Sequence, residues 1–338
     1  MAFRIIIHSK IRNMKNYSKL AWFGVALALF VVVLGAFVRL SDAGLGCPDW
    51  PGCYGQAAWP SESTEIAQAN EAFPERAVEP HKAWKEMVHR YFAGTLGLIV
   101  LGLFIWAFIK RKDMAITLPL VLGLVITFQA ALGMWTVTLQ LKPVIVMGHL
   151  MGGMLTLSLL CWLALSTSDK IKPYRYGGHV KQWMVTFALV LIVIQIMLGG
   201  WTSSNYAALS CVGFPLCNGQ VWPDMNFSEA FIMWRGLGIN YEFGVLDAPS
   251  RVAIQMTHRI GFVILSLYLI WLSTRLMKNR ELMPLGLTVL ILLAIQVALG
   301  ISNVVFNLPL IVATAHNGVA ALLLLSMVTL LYKTRKSS

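Results

Sequence analysis

Long apolar runs recur along the chain, separated by short polar segments that are mostly basic. A helix needs about 20 apolar residues to cross a bilayer core. Eight runs meet that length: Leu20–Arg39, Trp84–Ile109, Ala115–Leu139, Pro143–Leu165, Gln182–Trp201, Val252–Met277, Leu282–Val304 and Pro309–Tyr332. The last two come from one uncharged stretch, divided at Asn303–Pro309 because Asn307-Leu308-Pro309 supplies a turn. The uncharged core of the first run, Leu20–Phe37, outruns the apolar region of a signal peptide, and no small-x-small cleavage site follows. It reads as an uncleaved first helix.

Composition agrees with this pattern. Hydrophobic residues make up 57% of the 338 and charged residues 12%, and the mean hydropathy is +0.69. A soluble globule carries about 25% charged residues. The chain lacks the polar material to cover two water-facing domains, which excludes a cytosolic enzyme, a secreted disulfide scaffold and a disordered protein. Basic clusters at Arg4–Lys19, Lys110–Lys112, Lys170–Lys181, Arg275–Arg280 and Lys333–Lys336 all fall on one side and hold 18 of the 27 Lys and Arg residues. The positive-inside rule makes that side cytoplasmic, with both termini inside. The opposite side holds two long loops, Ser41–Ala83 and Thr202–Arg251, which with the adjoining helix ends carry 12 of the 15 acidic residues. Anionic lipid against the basic face accounts for the net charge of +12, so no nucleic-acid partner is expected.

The chain is written twice. Cys47, Cys53 and Gln56 recur in the same order and at one constant offset as Cys211, Cys217 and Gln220. Met87-Val88-His89-Arg90 matches Met256-Thr257-His258-Arg259. Gln129 to Gly133 matches Gln296 to Gly300, and His149 matches His316, these two again sharing an offset. Each half has four spans, an even number, so the halves share one orientation, as in parallel transporter repeats. The pattern predicts an all-α integral membrane protein: eight transmembrane helices as two tandem four-helix bundles, related by pseudo-twofold symmetry along the membrane normal. The expected divisions are a basic cytoplasmic segment 1–19, a first bundle 20–168, a cytoplasmic linker 169–181, a second bundle 182–332 and a tail 333–338.

Of the seven histidines, His8 and His179 fall in cytoplasmic segments and His81 in an outer loop, and no special role is expected for them. His89, His149, His258 and His316 lie on the four spans that run inward, about five to seven residues in. At 1.5 Å per residue that is roughly 10 Å of depth. Ionisable groups inside the membrane are rare and usually functional. Two histidines facing each other across a bundle can bind a metal ion or both axial positions of a haem iron. Zinc or copper alone normally takes a third protein ligand; the sequence offers none near His258 and His316, which favours haem there. Arg90 and Arg259 follow the first histidine of each pair. They suit haem propionates or snorkelling to headgroups equally well.

Cys161 sits within the fourth span and reads as a small packing residue. The other four cysteines form two C-x5-C pairs, Cys47/Cys53 and Cys211/Cys217, on the oxidising outer side of a bacterial inner membrane. Structural disulfide staples are the main reading, with a redox role the alternative. The repeat breaks at Glu86, whose counterpart is Gln255. Glu86 lies three residues before His89, on the same helix face. It reads either as an interfacial charge paired with Lys82, Lys85 or Arg90, or as an acid/base or electrostatic group beside whatever His89 and His149 hold. The second reading is preferred, because two similar pockets differing by one carboxylate look like one cofactor site and one substrate site.

At these residues the chain resembles the haem A synthase family: Glu86-Met87-Val88-His89-Arg90, His149 in GHL, His258-Arg259, His316 in AHNG, and both cysteine pairs. The resemblance implies oxidation of a methyl group of haem O to the formyl group of haem A, for terminal oxidases. Two successive oxygenations give a geminal diol, which loses water to form the aldehyde. It further implies that His258 and His316 ligate a haem b cofactor serving as an electron relay. By the same resemblance, His89 and His149 would hold the substrate haem, and Glu86 would be the catalytic carboxylate. Haem O synthase and terminal oxidase assembly factors are the implied protein partners, and a homo-oligomer is left open. A di-haem b-type electron-transfer cytochrome is the rival, followed by a parallel-repeat transporter.

Overall fold

A computed structural model of the chain describes residues 2–168 and 180–335, with side chains described from residue 14 onward. His179, nearly all of the expected linker and the last three residues of the tail lie outside the described residues, as does the side chain of His8. Eight long apolar helices are present among the described residues: α1 Ala2–Leu40, α3 Pro80–Ile109, α4 Thr117–Thr138, α5 Pro143–Ser166, α6 Gln182–Ser204, α8 Ala248–Met277, α9 Met283–Val305 and α10 Leu310–Thr334. Two short helices, α2 Ser63–Ala72 and α7 Phe227–Ala230, lie in the long loops, where hydropathy alone gave no signal. The protein is an all-helical, multi-pass membrane protein.

Capping chemistry sets helix starts that hydropathy misses. Pro80 opens α3 four residues before the apolar run begins, since a proline at the first turn loses no helical hydrogen bond. Asp247 caps α8, its carboxylate accepting from the Ser250 N–H at 3.1 Å, and again the helix starts four residues early. The turn expected at Asn307-Leu308-Pro309 is present. Asn307 and Leu308 adopt left-handed φ values of 54° and 61°, and Gln140 and Leu141 repeat them at 50° and 60° between α4 and α5. The two turns share an equivalent backbone bond, Leu308 N–H to the Asn303 carbonyl at 2.7 Å and Leu141 N–H to the Thr136 carbonyl at 2.8 Å.

Helices α1, α3, α4 and α5 contact one another around one bundle, and α6, α8, α9 and α10 around a second. The bundles meet along α1, α5, α6 and α10. A continuous apolar core fills the end away from the long loops. It includes Tyr17, Ala21, Leu103, Leu157, Leu160, Ala188, Leu269, Leu272 and Met327. On the other face the two long loops are bolted together. Arg76 of the first loop makes a bidentate pair with Glu242 of the second at 2.7 and 3.1 Å, and this hydrogen bonding raises the Arg76 pKa. Both loops therefore lie on one face, as the even span count requires. The buried Lys142 strengthens the same junction, donating to the Gly236 carbonyl at 2.8 Å with its ammonium 3.6 Å from the centre of the Trp234 ring.

Candidate functional site

The bundles do not pack solid towards the loops. A cavity of about 1630 Å³ opens there, lined by all four intramembrane histidines, Glu86, Gln255, Arg39, Arg90 and Arg259. Single-ligand sites reach about 1,000 Å³, so this space has room for more than one ligand of ordinary size. His89 stands nine residues into α3 and His258 ten into α8, whereas His149 and His316 each stand six into α5 and α10. The difference reflects the early starts of α3 and α8.

Each imidazole lies against a glycine of a neighbouring helix. A Cβ built at Gly35, Gly133, Gly199 or Gly300 would approach the ring of His89, His149, His258 or His316 to 2.9, 3.1, 3.3 and 3.1 Å respectively. A side chain at Gly35 would have to displace the ring of His89, and at the other three the ring would have to yield by a few tenths of an ångström. These glycines carry no sequence signal of their own beyond the repeat.

Glutamines hold three of the histidines. Gln129 donates to the His149 carbonyl at 2.6 Å. Gln195 donates to the His258 carbonyl at 3.0 Å and lies 3.1 Å from Nδ1 of its ring. The Gln296 amide lies 3.3 Å from Nε2 of His316. Val31 of α1 occupies the place that corresponds to Gln195, by the same offset that relates Cys47 to Cys211, so His89 has no such partner. In the first half the buried Nδ1 atoms of both His89 and His149 lack a hydrogen bond; in the second half only that of His316 does.

Two loops roof the cavity, each closed by a local disulfide. Cys47–Cys53 and Cys211–Cys217 bring their Cα atoms to 4.8 and 4.7 Å. Inside each, the second cysteine pairs with the glutamine three residues on, Cys53 with Gln56 and Cys217 with Gln220. The intervening Tyr54-Gly55 and Asn218-Gly219 all have positive φ, which explains why glycine recurs at the second turn position. Cys161 is free and buried, as its position in α5 suggested.

Arg90 and Arg259 clasp these loops. Arg90 donates to the carbonyls of Asp49 at 2.9 Å, Pro51 at 3.3 Å and Gly52. Arg259 donates to Leu216, Cys211 and Gly213 at 3.0–3.1 Å. Loop carbonyls thus take most of the donors that the sequence offered to propionates or headgroups. Arg39 is a cation that sequence reasoning missed, since an arginine ending a span reads as an anchor. It lines the cavity, donates to the Ser203 carbonyl at 2.6 Å and stacks 4.2 Å from the Tyr206 ring centre, joining the halves.

Glu86 is 5% exposed. One carboxylate oxygen accepts from Arg90 at 2.5 Å and the other from the Cys47 N–H at 2.9 Å, while the side chain lines the cavity beside His89. Lys82 pairs with Glu79 instead, and Lys85 lies over the Phe37 ring. Gln255 is as buried, at 6%, and its carbonyl oxygen has no hydrogen bond.

The family model described as Cytochrome oxidase assembly protein (COX15-CtaA) matches residues 18–328. The chain is 48% identical to a protein named Heme A synthase from Shewanella oneidensis, over 91% of this chain and 93% of the relative. Proteins of the same name from Shouchella clausii and Caulobacter vibrioides are 29% and 27% identical over 90% or more of both chains. With a family match across nearly its whole length and a full-length relative at that identity, the chain belongs to the cytochrome oxidase assembly protein family.

Proposed function

We propose that the protein is a haem A synthase: a membrane oxidoreductase of haem biosynthesis that converts a methyl group of haem O to the formyl group of haem A. The observation that carries this reading is the repeated histidine pair with a single carboxylate, Glu86, on one side only. The relatives' shared name supports it.

The residues fit a haem in each half. Each half offers two cavity-lining imidazoles, each against a glycine that leaves room for the ring alone. Among the described residues no group of three His, Cys, Asp or Glu side chains converges as a simple metal site would require. When bound, the haems supply redox-active iron and, in the first half, the methyl group to be oxidised.

We assign haem b, the cofactor, to His258 and His316, and the substrate to His89 and His149. Metal-ligating histidines ordinarily give their second nitrogen to a hydrogen-bond partner that fixes the ring. Gln195 lies 3.1 Å from Nδ1 of His258, whereas the buried Nδ1 atoms of both first-half histidines have no partner. A firmly held ligand set suits a resident cofactor, and a looser one suits a substrate that must leave as product. Gln195 also ties this histidine to α6, donating to the His258 carbonyl beside the ring. Gln195→Val, which copies Val31, should therefore lower haem b retention about 10–100-fold. Transfer of haem from the purified variant to a haem-scavenging globin measures it.

Glu86 does the acid/base and electrostatic work. Oxidising a porphyrin methyl develops positive charge beside the ring, and a buried carboxylate one turn from His89 stabilises that charge or takes a proton from an attacking water. Arg90 and the Cys47 N–H hold both its oxygens in place. Because the roofing loop itself is closed by Cys47–Cys53, the disulfide acts as a structural support for the carboxylate. Such bonds persist on the oxidising side of the membrane, which supports outward-facing loops and cytoplasmic termini.

Extraction of haem from the purified protein with chromatographic identification tests the function. Haem b together with haem O or A is the expected result. Two equivalents of haem b and nothing else would point to the di-haem electron carrier.

A further inference from the structure

The two halves differ in how far the cavity reaches. On α1, α5, α6 and α10 it gives way to the apolar core within about three to four turns of the loops, where residues such as Ala28, Met154, Ile192 and Leu323 belong to both. On α8 its last lining residue is Leu265, seven residues past His258, or about 10 Å at 1.5 Å per residue. On α3 it continues past His89 through Gly94, Gly97, Leu98 and Leu101 to Phe104, fifteen residues and about 22 Å. The opposite face of the same stretch of α3 carries Val100, Leu103 and Ala107 of the core. The cavity therefore runs down the outside of α3 as a cleft, with Gly123, Ile126 and Thr127 of α4 as its other wall.

Three glycines open this cleft. A Cβ at Gly94, Gly97 or Gly123 would meet nothing within 4 Å. At the corresponding places of the second half stand Val263, Ser266 and Leu290. Leu98 and Leu101 are 69% and 49% exposed along the cleft, so its open side is apolar and faces lipid. At its upper end it joins the space where the buried Nδ1 atoms of His89 and His149 have no partner.

We propose that the α3–α4 cleft binds the isoprenoid tail of a prenylated porphyrin whose macrocycle lies between His89 and His149. The inference rests on the function proposed above and adds what selects the substrate. Haem O carries a farnesyl-derived chain that haem b lacks, and only the half with the long cleft can lay such a chain beside the ring. The filled second half accepts a porphyrin without a tail. The lateral opening also lets a lipid-dissolved substrate enter and its product leave with the tail kept in apolar surroundings throughout.

The test titrates purified full-length protein, with its resident haem retained, separately with haem O and haem b, and reads occupancy of the first half from the absorption change. The variant is Gly94→Val with Gly123→Leu, which imports the second half's residues at positions where an added Cβ meets nothing within 4 Å. Affinity for haem O should fall about tenfold or more, the scale of a methylene-sized mismatch in an apolar pocket, while haem b affinity stays unchanged. Unchanged affinity for both ligands would mean the cleft holds only bilayer lipid, and overturns the inference. An equal loss for both would mean a general defect, and overturns it too. In each case wild-type binding of haem O that His89→Ala abolishes keeps the functional reading intact. If His89→Ala leaves binding unchanged, reading and inference fall together.

Discussion

Glu86→Gln should abolish most haem A production while leaving the protein inserted and its haem b in place. The amide keeps the size of the carboxylate and can still accept from the Cys47 N–H. It removes the negative charge, and with it the ion pair to Arg90. The second half shows that this arrangement folds, because Gln255 stands there with Arg259 clasping the loop carbonyls alone. General acid–base groups contribute about 10²- to 10⁴-fold in rate, so a loss of that size should appear in the extracted haems as unreacted haem O or the hydroxymethyl form. Near-normal haem A at normal expression would reduce Glu86 to a structural partner of Arg90.

The second large effect is expected in the other half. His258→Ala or His316→Ala should remove the low-spin, bis-histidine b-type signal from the visible spectrum of the purified protein. Each ring fills the space above a glycine, Gly199 or Gly300, and truncation leaves a gap with no replacement ligand. His89→Ala should keep that signal if, as proposed, the first half holds the substrate. Retention of the wild-type spectrum and haem content by both second-half variants would refute the cofactor assignment. Loss of the signal on His89→Ala alone would reverse the roles of the halves.

Much of this was legible in the chain itself. Span number and position follow from bilayer thickness, because hydrocarbon demands unbroken apolar runs of one length. The four histidines stood out because an ionisable side chain is costly in that setting and here recurs in register. The cysteine pairs were equally readable, since the partners of each disulfide are close neighbours in the chain. Helix starts were less so. Pro80 and Asp247 set them by capping, which acts over a few residues and is invisible to a hydropathy window.

What the sequence by itself determined is the list of groups that must be buried and the two-fold repetition of their order. Only the tertiary structure decided which partners they find. Apart from the pair of Arg90 with Glu86, Arg90 and Arg259 find their acceptors in backbone carbonyls, and a carbonyl has no residue identity for a sequence to display. Val31 is an unremarkable apolar residue until α1 packs against α3 and it is compared with Gln195, whose amide lies beside His258. Gly94 and Gly123 are distant in the chain and sit on separate helices, and they become one cleft only when α3 and α4 pack side by side. Burial cost is a property of single side chains, whereas partners and empty space depend on which helices are neighbours.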